Sequence, residues 1–487
     1  MPTYLDVAVI RIQDYLTRSP ALSSLRAGSA LISAATSDTA REELLVRLRA
    51  LFLSAQPNSE AASVDGLVNL VIGDGSASAN QARTAAGETC RWLRELLPGA
   101  VLDAVWADAP SYATAFQAMA PLRGALLTSY PPMHDYPPLR LCSSCQRDPV
   151  TVEVADGLCL DCAARAAGGP RGKQLRATTD DAADLDGAAA ERGLLRAVAA
   201  VRDLPQAEDF AGLAAATGSG NHLFTIALDG NNIGALFAGL AENHADSSEV
   251  QALSTTIKKV TTHALYDATL AGIEQHPDLM VCPVIPHVLG GDDVLLSVNA
   301  TVGWDVVRTL LHLMDSRFAD DPLICGLTDR FGLPAPSASA GVVIAQQGHP
   351  LSAALATASS LMREAKRQVL GQRSSVLWLD ITRDGTSPPR DRSVRTLQWM
   401  HDHDDVLRRL AEQPRAGLYA LETAASDSDL ELGLARTAKL LIRSREDNTI
   451  WPLATELVGD LDPTRWPSQR TDLLDALSLI RWWPHAQ

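Results

Sequence analysis

His287-Val288-Leu289-Gly290-Gly291-Asp292-Asp293-Val294-Leu295-Leu296-Ser297-Val298 is an apolar run, a Gly-Gly-Asp-Asp break and a second apolar run. Two such runs around a short glycine-containing break read as a β-hairpin. Glycine admits positive φ and lets a bulky anion approach the main chain. Two adjacent carboxylates at the tip offer the hard oxygen ligands that Mg²⁺ takes while keeping much of its water. Acidic residues and glycine are also ordinary turn formers, so the tetrapeptide alone fits a plain acidic turn equally well.

The tie is broken upstream. Leu223-Phe224-Thr225-Ile226-Ala227-Leu228-Asp229-Gly230-Asn231-Asn232-Ile233-Gly234 runs as an apolar strand into Asp229, a Gly/Asn turn and a helical segment from Ala235 to Glu242. Downstream, Ser337 to Ala345 reads as a strand, Pro350 to Val369 as a helix and Val376 to Leu379 as a last strand. The resulting order is that of a ferredoxin-like unit. Neighbouring central strands would bring Asp229 beside Asp292 and Asp293. Three carboxylates there could hold two Mg²⁺ or Mn²⁺ about 3.5–4 Å apart, the clamp used for in-line displacement at phosphorus. This is the palm arrangement of polymerases and nucleotide cyclases.

The 487 residues and 46% apolar content provide for two to four domains with sizeable cores. A net charge of −16 argues against a free nucleic-acid binder, which would carry a basic stripe, so any nucleic acid is expected to be held by partner subunits. There is no run of 18 or more apolar residues, and Asp6 interrupts the first apolar stretch, so neither a membrane span nor a signal peptide is expected. Cys90, Cys282 and Cys325 are scattered, which fits a reducing cytoplasm.

Residues 1–125 read as a second sheet-and-helix unit. Its strands are Tyr4 to Ile12, Leu67 to Ile72 and Val101 to Trp106. Gln13 to Ala50 is helical with breaks near Pro20 and Ser37, and Gln81 to Leu97 is a helix with one apolar face. It carries only Val71-Ile72-Gly73-Asp74-Gly75 where a metal turn would stand, which reads as a scaffold. Residues 126–221 begin with a linker marked by Tyr130-Pro131-Pro132 and Tyr136-Pro137-Pro138. Cys142-Ser143-Ser144-Cys145 and Cys159-Leu160-Asp161-Cys162 follow, near zinc-ribbon spacing. Four thiolates leave no open coordination position, so Zn²⁺ on Cys142, Cys145, Cys159 and Cys162 would be structural. A charged segment from Arg171 to Asp186 and a helix from Ala188 to Arg202 complete this part. Residues 222–386 form the palm, closed by Thr386-Ser387-Pro388-Pro389. From Ser393 the chain reads as all helix, giving a helical domain over 387–487 that holds Trp399, Trp451, Trp466, Trp482 and Trp483. Core packing is the default for such residues, and an interface role the alternative. The expected fold class is therefore α+β, with two ferredoxin-like palms separated by a four-cysteine module and followed by an all-helical domain.

Met400-His401-Asp402-His403-Asp404-Asp405 imitates a His-Asp phosphohydrolase signature. Such a site needs more His and Asp ligands, and after His403 the sole histidine is His485. The run is better read as an acidic helix start, where carboxylates favour the helix dipole.

Taken together, these stretches resemble the large polymerase-like subunit of type III CRISPR effector complexes, the cyclic oligoadenylate synthase, and most of all its Cmr-type branch. The resemblance is carried by Asp209 to Ala214, Ile226 to Gly234, Gly290 to Asp293, Ser339 to Ala345 and Glu364-Ala365-Lys366. In the first unit it rests on Ile12 to Leu16 and Leu25-Arg26-Ala27-Gly28-Ser29. It implies ATP as substrate, held between two facing palms. Asp229, Asp292 and Asp293 would be metal ligands, Gly290 and Gly291 would line the triphosphate and Lys366 would neutralise it. From residue type alone, Lys366 is either a point charge suited to phosphate or a solvated helix lysine. Asn232 and Ser339 are further candidates for nucleotide contact. Partners implied are other subunits of the complex and, through them, guide and target RNA. Many members begin with a His-Asp nuclease domain, whereas this chain opens at the first palm, so DNA cleavage is not expected of it. Two other readings remain: a diguanylate cyclase-like enzyme, and a catalytically silent scaffold. Against the first, Asp292-Asp293-Val294 stands where Asp/Glu-Glu-Phe is usual, and Cys282 and Ile285 occupy the positions of the inhibitory Arg-x-x-Asp.

Overall fold

A computed structural model describes residues 1–61, 64–73, 78–131, 140–151, 157–174, 188–218, 220–243, 247–386, 392–446 and 450–484. Asp74 and Gly75, Pro132 and Tyr136-Pro137-Pro138, residues 175–186 of the charged segment, Ser387-Pro388-Pro389 and His485 lie outside the described residues.

The first sheet is built from β1 (Thr3–Ile10), β2 (Ala55–Pro57), β3 (Leu67–Ile72), β4 (Val101–Asp108) and β5 (Leu127–Ser129), in the order β2-β3-β1-β4-β5. β1 alternates along its length. Leu5, Val7 and Val9 face the helices α1 (Ile12–Leu16), α2 (Leu22–Ala35), α3 (Asp38–Ala50) and α4 (Ala79–Leu96), burying Leu25, Ile32, Leu44, Leu48 and Trp92. Period-two alternation is what one buried sheet face requires. The breaks expected near Pro20 and Ser37 fall between α1 and α2 and between α2 and α3. α5 (Tyr112–Met119) covers part of the opposite face. Because β5 pairs with β4, Leu102 opposite Ser129, this sheet runs past the expected boundary at 125.

Between the sheets lie the cysteine module and the helices α6 (Leu160–Gln174), α7 (Ala188–Val201) and α8 (Phe210–Ala214). Arg165 of α6 is fully buried. It pairs with Asp161, donates to the Leu16 and Ser24 carbonyls at 3.2 and 3.3 Å, and stacks over the Tyr15 ring at 4.3 Å. Asp161 also accepts from the Gly99 amide at 3.1 Å. A buried cation is tolerated only when paired and hydrogen-bonded in this way. These bonds dock the cysteine module onto the first sheet's helices.

The second sheet contains β6 (His222–Asn231), β7 (Val284–Gly290), β8 (Asp293–Asn299), β9 (Ser337–Gln346), β10 (Ser375–Asp380) and β11 (Arg395–Thr396), in the order β11-β10-β9-β6-β8-β7. Its β9-β6-β8-β7 part is the ferredoxin-like order. Phe224, Ile226 and Leu228 of β6 pack toward α9 (Ile233–Glu242), α10 (Ser247–Gln275), α11 (Gly303–Asp320) and α12 (Pro322–Phe331). Ala227, with Leu295, Val343 and Leu377, packs under α13 (Leu351–Gln368). The short α14 (Ile381–Asp384) follows β10.

The chain does not turn wholly helical at Ser393. Arg395 pairs with Val376 across β10, and its guanidinium is taken by Asp472 and Asp475, which holds the segment at the sheet edge. Helices α15 (Leu397–Asp402), α16 (Asp404–Ala411), α17 (Arg415–Ala425), α18 (Leu430–Glu446), α19 (Ile450–Val458) and α20 (Trp466–Leu479) complete the chain. Trp466 and Trp483 are buried, and Trp399, Trp451 and Trp482 pack partly buried against the same core. The His-Asp run serves the fold. His403 stacks on Trp399 at 4.5 Å, while Asp404 opens α16 and accepts from Arg308 at 2.6 Å and the Trp483 indole at 3.0 Å. No described helix is long and apolar enough to cross a membrane.

Candidate active site at the hairpin tip

Register brings the carboxylates together. β6 and β8 are antiparallel with Leu228 opposite Val294, so the next step along each strand sets Asp229 beside Asp293. Gly290 opposite Asp293 closes the hairpin, leaving Gly291 and Asp292 as its two-residue turn. Gly291 has φ +68°, the region a two-residue hairpin turn demands and glycine supplies without strain. Asp292 lies across the end of β6. A Cβ added to Gly230 would fall 2.4 Å from the Ile233 Cδ1 and 2.9 Å from the Asp292 Cβ, so this close approach needs glycine.

Lys366 reaches over from α13. Its ammonium pairs with the Asp229 carboxylate and donates to the Gly230 carbonyl at 2.7 Å. Burial first, and then the charge of Asp229, raise Asp292 above the usual carboxylate range. The same causes in the same order push Asp293 up to about 7. Asp293 is solvent-exposed by area, so the like charge of Asp229 is the firmer of its two causes. Hard carboxylate oxygens at a strand tip suit Mg²⁺ or Mn²⁺. Here the Asp229 and Asp293 carboxylates crowd each other while Asp229 also pairs with Lys366, and the three are not gathered as tightly as the cysteine thiols. Among the described residues, the group arranged to hold an ion is the cysteine quartet, whose ligand atoms all lie within 4.8 Å of one another. Burial opposes ionisation of Cys142, yet backbone donors at Cys145, Cys159 and Ser144 bring its thiol down to about 7, which favours the thiolate a metal takes.

Gly290, Gly291 and Asp293 form one wall of a cleft of about 360 Å³ whose other walls include Ser29 of α2, Asp65 and Lys258 of α10. The cleft thus opens between the two sheets' domains. Lys366 is not among its lining residues and approaches Asp229 from the α13 side. Ser339 is wholly buried and bonded to Asn231 and Ser375 at 3.2 and 3.0 Å. Asn232 has φ +65° and gives its amide to the Gly371 carbonyl at 3.0 Å. Sequence reasoning missed Glu191, which lines the cleft from α7 and is held there by Arg26 at 2.6 Å. No motif marks it, since only tertiary packing sets α7 against α2.

A helix-flanked, mainly antiparallel sheet with carboxylates at the ends of the adjacent strands β6 and β8 defines a palm. Residues 223–376 match the family described as Cas10/Cmr2, second palm domain. No curated protein matches the chain in sequence. The fold of the whole chain is similar to that of the apo Csm1-Csm4 cassette, with TM-score 0.59 and 13% identity over 99% of this chain and 70% of that one. The Csm1-Csm4 cassette in complex with one ATP matches with TM-score 0.56, 13% identity and the same coverage. The cassette in complex with cA3 matches with TM-score 0.53 and 13% identity over 99% of this chain and 70% of that one.

Proposed function

We propose that the protein is the nucleotidyltransferase subunit of a type III CRISPR antiviral complex and makes cyclic oligoadenylates from ATP when target RNA is recognised. The observation that carries this reading is the register pairing that sets Asp229 beside Asp293, with Asp292 at the turn, in a segment matching the Cas10/Cmr2 second palm. The solved relatives, described in complex with ATP and with cA3, support the substrate and product class.

In the proposed reaction the 2′- or 3′-hydroxyl oxygen of one ATP attacks the α-phosphorus of another. The new P–O bond forms as the bond to pyrophosphate breaks, and the hydroxyl proton passes to solvent. Asp229, Asp292 and Asp293 would hold divalent cations, which when bound supply charge neutralisation at phosphorus. Gly290 and Gly291 bring main chain close to the triphosphate, and Lys366 gives it a point charge. Positioning in the cleft between the two units supplies much of the remaining acceleration. Zn²⁺ in the quartet of Cys142, Cys145, Cys159 and Cys162 is structural, since four thiolates close its coordination.

We divide the chain into a first palm (1–125, with β5 appended), a zinc module with helical linker (126–221), the catalytic palm (222–386) and a helical domain (387–487). Partners are other subunits of the complex and, through them, guide and target RNA. Sequence resemblance points to the Cmr-type branch while the similar structures are of Csm1, and co-purification with small subunits of either type distinguishes them.

The test is incubation of the protein with ATP or GTP and Mg²⁺ or Mn²⁺, with and without partner subunits and target RNA, read by mass spectrometry. Cyclic adenylates lost in Asp292→Ala/Asp293→Ala are the expected result. Cyclic di-GMP would move the chain to the diguanylate class. No product from a fully assembled, RNA-activated complex would leave a silent scaffold.

A further inference from the structure

Lys366 is held at the tip by a closed ring of bonds that begins and ends at the Asp229 turn. Its own carbonyl accepts from the Gly371 amide at 3.0 Å, which finishes the last turn of α13. The Gly371 carbonyl in turn accepts from the Asn232 side chain at 3.0 Å. Asn232 is three residues beyond Asp229, to which the Lys366 ammonium returns.

Asn231 reinforces the ring from beneath. Fully buried, it donates to Ser337 and Ser339 at 2.9 and 3.2 Å and to the Arg373 carbonyl at 3.3 Å, tying β6 and β9 to the same loop. That loop is unusual in its backbone. Leu370 and Gly371 have φ of +52° and +64°, and Leu370 is 76% exposed, so its own side chain packs on little that would hold it there. A bulky residue held at positive φ needs surroundings that impose it. Here the two asparagine amides add to main-chain bonds from Leu370 to Arg367, Gly371 to Lys366 and Gln372 to Val369.

We infer that Asn231 and Asn232 form a clamp on residues 370–373 that positions Lys366 over the Asp229 carboxylate. Asn232 is on this account a positioning residue acting through Lys366, its amide committed to the loop rather than to a nucleotide. The inference deepens the function proposed above and shares its reading of Lys366 as the triphosphate counter-charge.

The test uses Asn232→Gly, which keeps the left-handed backbone and removes only the amide. In the nucleotide-free protein, acylation of lysines by an N-hydroxysuccinimide ester is followed by peptide mass spectrometry, with Lys439 as internal reference. The expected result is Lys366 labelling several-fold faster in Asn232→Gly and in Asp229→Asn, at unchanged Lys439 rate and unchanged melting temperature. Faster labelling in Asp229→Asn with none in Asn232→Gly would overturn the clamp.

ATP binding in the presence of Mg²⁺ is then measured in wild type, Asn232→Gly, Lys366→Met and the double variant. Several-fold weakening by Asn232→Gly that vanishes in the Lys366→Met background is expected. The same weakening in both backgrounds would make Asn232 a general structural residue and refute the inference. Wild type that binds no ATP, with the labelling result intact, would sink the functional proposal and leave the clamp standing.

Discussion

Mn²⁺ binding at the hairpin tip should weaken about tenfold between about pH 8 and about pH 6. Asp293 is pushed up to about 7 by burial and then by the Asp229 charge. A cation can take this carboxylate only after its proton leaves, so metal binding releases a proton. The apparent affinity is reduced by a factor of one plus ten to the power of pKa minus pH. With a pKa of about 7, that factor is about 1.1 at about pH 8 and about 11 at about pH 6. Stability of the metal-free protein runs the other way. A carboxyl whose folded pKa is raised stabilises the fold below its ordinary range near 4, and that contribution is lost as pH rises to about 7. Electron paramagnetic resonance of free Mn²⁺ reads the affinity, in wild type and in Asp229→Asn, where the midpoint should move down as one like charge is removed. A pH-independent affinity across this window, or an unmoved midpoint in the variant, would refute the crowding of carboxylates at this tip.

Three further outcomes follow from single contacts. Arg165→Leu strips Asp161 of its nearest charge partner and leaves it the Arg18 guanidinium at 3.4 Å and the Gly99 amide, so urea unfolding should show a loss of about 3 kcal/mol, whereas adding Asp161→Asn should recover part of it. Gly230→Ala places a methyl against Ile233 and Asp292, costs about 1–3 kcal/mol in a thermal melt and abolishes product formation by displacing the hairpin tip. With Zn²⁺ proposed in the cysteine quartet, a chelator should lower the melting temperature and expose the chain at Cys142 to Cys145 and Cys159 to Cys162 to protease, with recovery on adding Zn²⁺.

Much of the site was legible because it lies in short continuous stretches. Apolar alternation into Asp229 and the glycine pair before Asp292 mark strand ends and a tight turn, which are local properties. The cysteine quartet was legible from spacing alone. The all-helix reading from Ser393 passed over Arg395, because its two-residue strand exists only through pairing with β10 and the carboxylates of Asp472 and Asp475 some distance along the chain. Ser339 and Asn232 had the residue types of ligand contacts, yet the structure commits Ser339 to Asn231 and Ser375 and Asn232 to Gly371.

By itself the sequence determined the element order, the two sheets, the cysteine module and the position of the carboxylates along their strands. Hydrophobic period, turn residues and ligand spacing are local, and they need no partner from elsewhere in the chain. Only the tertiary structure decided that Asp229 pairs with Lys366, that Arg26 and Glu191 meet beside the cleft, and that two asparagines bond to the loop behind α13. Those facts depend on side chains far apart in sequence whose charges and hydrogen bonds are satisfied by one another once the sheets and helices have packed.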